Sequence, residues 1–315
     1  MIISIITPCY NSEVYLEQTI LSVVYQDGPF FIEYIIVDGA SNDSTLEIIK
    51  KYEDLISNGK SIYFEGHKFH KPSFARCKGI ILKFISEPDQ GMYDAINKGF
   101  GLSNGFILAY INSDDLYDAE AFKTACKIFQ TNKDIHWIKG RTDVIGERNI
   151  SIYKCKNFLY DQNWIKKGIY GQKLFFIQQE GIFWRRWLWI KAGKIDSKYK
   201  LAGDYYLWFK FADHAKLWSV DMNFAFFRKH GKQLSADLDG YLTEMNDICP
   251  ADIKISEKLD IYFKKRFRHK FTKYLYQLVH FRTNYYFLKL IPNDENMRFE
   301  KKKFRFYDFI PRLKK

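Results

Sequence analysis

The apolar run Ile107-Leu108-Ala109-Tyr110-Ile111 leads straight into Asn112-Ser113-Asp114-Asp115. Hard divalent cations take oxygen ligands, and a metal bridging a diphosphate needs only one or two of them from the protein. Two adjacent carboxylates at a strand end suit that task. Alone, such a pair is more often a turn or a helix cap, so its neighbours decide. Asp38 follows the apolar stretch Tyr34-Ile35-Ile36-Val37 and opens the polar turn Gly39-Ala40-Ser41-Asn42-Asp43-Ser44-Thr45. A carboxylate there can accept hydrogen bonds from a nucleobase or a ribose, while Asn42 and Asp43 are accounted for by capping of the next helix. Tyr10, in Thr7-Pro8-Cys9-Tyr10-Asn11, can pack on a base. Asp89, in Ser86-Glu87-Pro88-Asp89-Gln90-Gly91, can reach a nucleoside, whereas Asn97 and Lys98 support a helix end.

Such residues need a frame that brings strand ends together. Apolar periodicity predicts strands at 2–6, 34–37, 80–85 and 106–111, with helices at 13–26, 42–52, 92–102 and 119–130. Alternating strands and helices imply an α/β fold with a mostly parallel sheet covered on both faces. Ligands on such sheets gather at the carboxyl ends of the strands, where Asp38 and residues 112–115 both fall. Residues 60–80 interrupt the alternation and read as an inserted loop or ribbon. The second half is less regular. It predicts strands at 135–139, 175–177, 217–220 and 224–228, and helices at 187–191 and 205–212. Helices are expected to dominate from about 239 onward.

The 315 residues carry a net charge of +12 and 18% aromatic side chains. The charge is local. Residues 264–315 hold sixteen Lys and Arg against four Asp and Glu, leaving 33 of each sign in the first 263 residues. A basic, aromatic-rich tail fits an anionic membrane surface. It also suits nucleic acid, but no nucleic-acid-binding motif accompanies it. The five cysteines (9, 77, 126, 155 and 249) form no C-x-x-C pair, which points away from a structural zinc site and a disulfide framework. No signal peptide or spanning segment is read, so a cytoplasmic location, peripheral on the membrane, is expected.

Taken in order, the four segments resemble the inverting glycosyltransferases of family 2, whose nucleotide-binding fold is called GT-A. They are Thr7-Pro8-Cys9-Tyr10-Asn11, Ile36-Val37-Asp38-Gly39-Ala40-Ser41-Asn42-Asp43-Ser44-Thr45, Ser86 to Gly99 with Asp89-Gln90-Gly91-Met92-Tyr93-Asp94 at its centre, and Asn112-Ser113-Asp114-Asp115. The resemblance is clear over residues 1–130 and thinner to about 236. It implies a GT-A catalytic domain at 1–235, with a donor half at 1–130 and an acceptor half at 131–235. A mainly helical, basic C-terminal extension would then occupy 236–315.

It also implies a nucleotide-sugar donor, UDP-linked in the first instance, held by Thr7, Pro8, Tyr10, Glu13, Asp38, Asp89, Asn112, Ser113 and Asp114. Asn112 stands where the family has the first Asp of Asp-x-Asp. It can still meet the ribose but lacks charge. Asp114 would hold Mn²⁺ or Mg²⁺, with His230 as a further ligand, and Asp115 would orient the loop. Arg228 or Lys232, in Phe227-Arg228-Lys229-His230-Gly231-Lys232, would meet the diphosphate. Asp204, in Leu201-Ala202-Gly203-Asp204-Tyr205, matches the segment that carries the catalytic base. Its competing reading is a helix N-cap. Gln178 stands where relatives often have His, leaving Gln179, Glu180 and Trp208 as acceptor contacts. Trp184, Trp187 and Trp189 read as core or as a sugar-stacking wall.

The implied function is sugar transfer to a hydroxyl of a glycan or lipid-linked acceptor in surface polysaccharide synthesis. Two other readings stand beside it. One is a catalytically silent adaptor on the same scaffold, acting through the basic tail. The other is a sugar nucleotidyltransferase, which would show a Gly-rich, basic phosphate loop where this chain has Thr7-Pro8-Cys9-Tyr10-Asn11.

Overall fold

The computed structural model describes residues 1–231, 233–252, 284–290 and 299–305. The first half runs β1 (Ile2–Cys9), α1 (Leu16–Val24), β2 (Gly28–Asp38), α2 (Thr45–Ser57), β3 (Lys60–Phe64), β4 (His67–Lys71), β5 (Cys77–Ser86), α3 (Met92–Leu102), β6 (Ile107–Tyr110), β7 (Leu116–Tyr117) and α4 (Ala121–Thr131). The second half continues β8 (Trp137–Gly146), β9 (Ser151–Tyr153), α5 (Gln162–Lys166), α6 (Ile169–Gln172), β10 (Ile182–Arg185), α7 (Arg186–Ala192), α8 (Gly203–His214), β11 (Leu217–Lys229) and α9 (Leu238–Ile248). Two further strands, β12 (Asn284–Leu290) and β13 (Phe299–Arg305), lie beyond α9.

All strands join one sheet, in the order β13-β12-β11-β8-β10-β6-β1-β2-β5-β4-β3, with β7 beside β11 and β9 beside β8. The centre is parallel: β6, β1, β2 and β5 run side by side in one direction. Every residue of β1 is buried, as a strand covered on both faces requires. Helix α3 packs closely on this sheet through Gly99, where a Cβ would stand 2.5 Å from Ile6 Cγ2. β10 runs antiparallel between β6 and β8 and splices the two halves together. Residues 60–71 form the expected ribbon, a β3–β4 hairpin on the far edge.

Three expectations change. Residues 175–177 form no strand. Phe175 instead stacks on Phe158 at 3.9 Å between ring centroids, and the local strand is β10. The segments 217–220 and 224–228 are one long strand, β11, with register shifts around Asn223. The mainly helical tail is corrected where it is described: after α9, residues 284–290 and 299–305 are strands. Tyr and Phe favour a pleated surface, and Tyr286 packs against Trp218 of β11 at 5.0 Å between centroids. Leu288 is fully buried there. The helices expected at 253–283 lie outside the described residues.

Candidate active site

The carboxyl ends of β1, β2, β5 and β6 converge. Backbone bonds join Gly39 N–H to the Cys9 carbonyl (2.9 Å), Glu87 N–H to the Asp38 carbonyl (3.0 Å) and Ile111 N–H to the Ile6 carbonyl (2.9 Å). Asp38 is buried at this meeting point. Its carboxylate accepts the Ser86 hydroxyl at 2.7 Å, the Ser41 N–H at 3.2 Å and the Ser41 hydroxyl. The loops after β1 and β2 are stitched together. Asn11 N–H donates to Ser41 Oγ (2.8 Å), Asn42 N–H to Asn11 Oδ1 (3.0 Å), Ser12 N–H to Thr45 Oγ1 (2.7 Å) and Ser44 N–H to Glu13 Oε2 (3.0 Å). Ala40 sits in the left-handed region at φ 61°, a conformation that costs energy in a non-glycine residue. Neither Asn42 nor Asp43, expected to cap α2, is its N-cap: Ser44 holds that place without a side-chain cap bond, and Asp43 Oδ1 accepts Thr45 N–H at 3.0 Å from one residue further out.

Tyr10 stands free above this floor, 62% exposed. A Cβ at Gly39 would lie 2.8 Å from Asp89 Oδ2 and 3.4 Å from Tyr10 Cδ2, so the glycine leaves a narrow cradle between that carboxylate and that ring. Thr7 and Pro8 lie buried beneath, with the Thr7 hydroxyl accepting from Tyr34 at 3.0 Å. Asn97 and Lys98 act structurally. Asn97 exchanges two bonds with Ile195 at 2.7 and 3.0 Å, and Lys98 pairs with Glu87 and Asp94.

The 112–115 loop is fixed from below and open above. Ser113 Oγ meets Ser12 Oγ at 2.8 Å, and Thr19 Oγ1 donates to the carbonyls of Ser113 and Asp115. Asp115 is fully buried, with Oδ1 accepting Arg228 N–H at 2.8 Å. Burial, with Asp114 and Glu180 nearby, pushes its carboxyl well above the usual range. Asp114 faces His230, Oδ2 to Nε2 at 2.8 Å. Asn112 Oδ1 is buried with no hydrogen-bond partner among the described residues.

Arg228, expected at a diphosphate, is buried and turned to protein oxygens instead. It donates to the Asp114 carbonyl (2.7 Å), the Glu147 carbonyl (3.1 Å), Asn149 Oδ1 (2.6 Å) and Gln18 Oε1 (2.9 Å). It ties four segments together, and its N–H groups are engaged. Lys232 lies outside the described residues.

The acceptor-half side chains come from β8, the loop before β10, and α8. Asp204 lies inside the first turn of α8, two residues after the N-cap Ala202, so it is not the cap itself. Its Oδ1 accepts Tyr241 Oη at 2.7 Å and Tyr205 N–H at 2.7 Å, with Tyr93 Oη a third and more distant donor at 3.4 Å whose proton is shared with the nearer Leu201 carbonyl at 2.8 Å. Enclosure raises the carboxyl to about 6 against those three donors. Glu180 is buried, with Oε2 unpartnered among the described residues. Burial lifts it to about 7, opposed by Lys139 and assisted by the charges of Asp204 and Asp114. Lys139, itself buried, is lowered to about 8 and donates to Thr142 Oγ1 at 3.1 Å. Gln179 is buried with both amide atoms unpartnered among the described residues. Glu180, from one segment, therefore feels the charges of Asp114 and Asp204 from two others.

The tryptophans sort by burial. Trp208 and Trp184 are core. Trp208 stacks on Trp137 at 5.8 Å and edges against Phe211 at 5.6 Å, which leaves no face for a sugar. Trp189 packs on Phe100, and Trp187 is exposed beside His136. Sequence reasoning missed Tyr93, Tyr241 and Glu244. Tyr241 and Glu244 stand three apart on a helix, hence on one face, but nothing in that spacing names their partner. Among the described residues, no cluster of three or more His, Cys, Asp and Glu is arranged to hold a metal ion, and no helix is long and apolar enough to cross a membrane.

The family model described as Glycosyl transferase family 2 matches residues 4–187. Over 101 residues, 31% of this chain and 40% of the other, the sequence is 32% identical to the putative teichuronic acid biosynthesis glycosyltransferase TuaG of Bacillus subtilis. Over 203 residues, 64% of this chain and 66% of the other, it is 28% identical to a PGL/p-HBAD biosynthesis glycosyltransferase of Mycobacterium bovis. The chain thus spans 40% and 66% of the lengths of these two relatives. Among solved structures, S. aureus TarS 1-349 in complex with UDP-GlcNAc matches with a TM-score of 0.55 at 18% identity, covering 84% of this chain and 73% of that one. At that identity the likeness is one of fold.

Proposed function

We propose that this chain, which belongs to glycosyl transferase family 2, moves a sugar with inversion from a nucleotide-sugar donor to a hydroxyl of a glycan or lipid-linked acceptor in surface polysaccharide synthesis. The carrying observation is Asp204, a carboxyl raised to about 6 and in electrostatic reach of Glu180, which in turn feels Asp114. An acceptor hydroxyl must lose its proton as its oxygen attacks the anomeric carbon. Asp204, ionised near neutral pH, takes that proton. One new C–O bond forms, the bond to the diphosphate breaks, and the nucleoside diphosphate departs with the electron pair.

The cradle of Tyr10, Gly39 and Asp89 is the proposed nucleoside site. UDP-sugars are the first donors to test, since the fold neighbour TarS is described with UDP-GlcNAc. dTDP- and GDP-sugars remain alternatives. Surface polysaccharide as product is supported by the names of the teichuronic acid and PGL/p-HBAD relatives.

A divalent ion is part of the proposal. Asp114 Oδ2 and His230 Nε2 lie 2.8 Å apart, and two protein ligands suffice where phosphate oxygens complete the shell. Asp114 and His230 would hold Mn²⁺ or Mg²⁺, and the ion would supply charge stabilisation of the departing diphosphate. A peripheral site on an anionic membrane, at the cytoplasmic face, is proposed from the charge of residues 264–315, sixteen Lys and Arg against four Asp and Glu.

The experiment is a panel of nucleotide-sugars, scored for hydrolysis with and without Mn²⁺, on the wild type and on Asp114→Ala and Asp204→Asn. Metal-dependent turnover lost in both variants supports the assignment. Near-normal turnover in both overturns it. The silent-adaptor reading draws on Asn112 in place of a carboxylate and on the lack of a three-ligand cluster among the described residues. Calorimetry with UDP and Mn²⁺ separates the two, because the adaptor gives no metal-dependent heat.

A further inference from the structure

Helix α9 follows the segment matched by the family model, which ends at residue 187. Its side chains nevertheless reach the interior of the site. Tyr241 Oη donates to Asp204 Oδ1 at 2.7 Å, the closest side-chain contact of that carboxylate. One turn on, Glu244 accepts three successive backbone N–H groups: Lys200 at 2.9 Å, Leu201 at 2.9 Å and Ala202 at 2.7 Å. Those three residues lead directly into α8, whose first turn carries Asp204. The helix is docked along its length. Asp237 caps Gly240 N–H at 2.9 Å, and Met245 packs with Ala202 and Tyr205. Gln172 donates to the Cys249 carbonyl at 2.7 Å and accepts Ala251 N–H at 3.1 Å.

We infer that Tyr241 and Glu244 are positioning residues for the base. Tyr241 fixes the rotamer of Asp204 and favours its ionised form. Glu244 holds the 200–202 backbone that aims α8 at the cleft. This rests on the reading of Asp204 as the base, and the experiment keeps the two apart.

The chemistry follows from geometry. A phenol O–H aimed at a carboxylate oxygen favours the charged form. Held at Oδ1 by the Tyr241 hydroxyl and Tyr205 N–H, the carboxylate keeps Oδ2 for the acceptor, since no hydrogen bond to Oδ2 occurs among the described residues. The ionisable groups facing Asp204 are Tyr93 on α3, Tyr241 on α9, Tyr110 at the end of β6 and Glu180 before β10. Only Glu180 changes charge near neutrality, and its negative form opposes ionisation of Asp204. Tyr241 offsets that opposition.

The test is a ¹³C titration of the aspartate side-chain carboxyls in the full-length protein, with the Asp204 signal identified by its loss in Asp204→Asn. In Tyr241→Phe the Asp204 midpoint is expected to rise by about one pH unit, the size of a hydrogen bond to a charged group. An unchanged midpoint overturns the inference. Any donor hydrolysed by the wild type then gives a second reading. The acid limb of kcat/KM in Tyr241→Phe moves up by the same amount, and raised pH restores the rate. Glu244→Gln keeps one acceptor oxygen and retains more of kcat than Glu244→Ala, with KM for donor unchanged in both. Equal losses in the two, or loss through donor KM alone, sink the Glu244 role. Should Asp204→Asn retain transfer, the base reading falls while the titration still reports on Tyr241.

Discussion

The two halves of the cleft are finished to different degrees. On the donor side, Asp38, Asn11, Ser12, Glu13 and Asp43 hydrogen-bond to one another's loops, and their geometry is set before any ligand arrives. Across the cleft, Gln179 and Glu180 are buried with polar atoms lacking partners among the described residues. The first half has unpartnered buried atoms as well, on Tyr110, Asn112 and Asp115; Tyr110 meets Trp184 and Asp115 receives Arg228 N–H, both from the second half. Native proteins rarely leave such groups unpaired, because each costs about 1–3 kcal/mol. A preformed floor on one side and unmet polar groups on the other are what a transferase needs if its donor is held by a rigid cradle and its acceptor completes the opposite wall.

Four perturbations break or sharpen that contrast, in descending size. Asp204→Asn removes the proposed base, so transfer is expected to fall by about a thousandfold while the melting temperature stays within a few degrees. Initial rates and circular dichroism check this, and a rate near wild type would leave the acceptor wall without its chemistry.

The second is pH. If ionised Asp204 is the base, then with its carboxyl raised to about 6 kcat/KM should decline about tenfold per unit below that point and level off above it. The same shift bears on folding in the opposite sense. Because the folded carboxyl titrates above its unfolded value, its stabilising contribution is full in acid and is lost as pH rises through about 6. Asp204→Asn should therefore flatten the stability profile between the unfolded value and that point.

The third concerns Gln179. Replacing it with Met removes two unpartnered polar atoms, so the melting temperature should rise by a few degrees while KM for acceptor increases about tenfold. A fall in melting temperature would mean that the amide is satisfied in solution and the halves differ less than described. The smallest effect belongs to Tyr10→Ala. With the ring largely exposed, stability should not move, and KM for donor should rise about tenfold from lost stacking. Equal effects on donor and acceptor KM would erase the division.

The same contrast explains how much was legible in the sequence. The donor side reads well because its residues sit on short loops that follow apolar strands, so one stretch of chain carries both position and chemistry. Asp38, Asp89 and Asp114 become candidates that way. The acceptor side is assembled from β8, the 178–180 segment, α8 and α9, and its contacts span long separations, such as Tyr93 with Asp204 and Glu244 with Ala202. No local pattern encodes them. Arg228 shows the converse error. Its neighbourhood suggested an anion, but the folded loops turn five protein oxygens, of Gln18, Asp114, Gly146, Glu147 and Asn149, onto the guanidinium nitrogens. Trp208 was ambiguous for a similar reason, since core and ligand wall call for the same side chain. The strands at 284–290 and 299–305 were hidden by a basic, aromatic composition that suits either a helix face or an edge strand.

Those late strands set a limit on how the protein can be shortened. β12 lies parallel to β11 over Trp218, Ser219 and Val220, and β13 covers β12 with a row of lysines at 301–303. Lysine on an outer strand discourages further pairing. A chain cut after α9 loses the strands that cover the β11 backbone and the ring of Trp218, leaving an open template for strand exchange between copies. Such a shortened protein should elute as aggregate and regain monodispersity only when residues through 305 are restored. On that expectation the far C-terminal strands β12 and β13 serve as a colloidal safeguard, closing a sheet edge that would otherwise recruit a second copy.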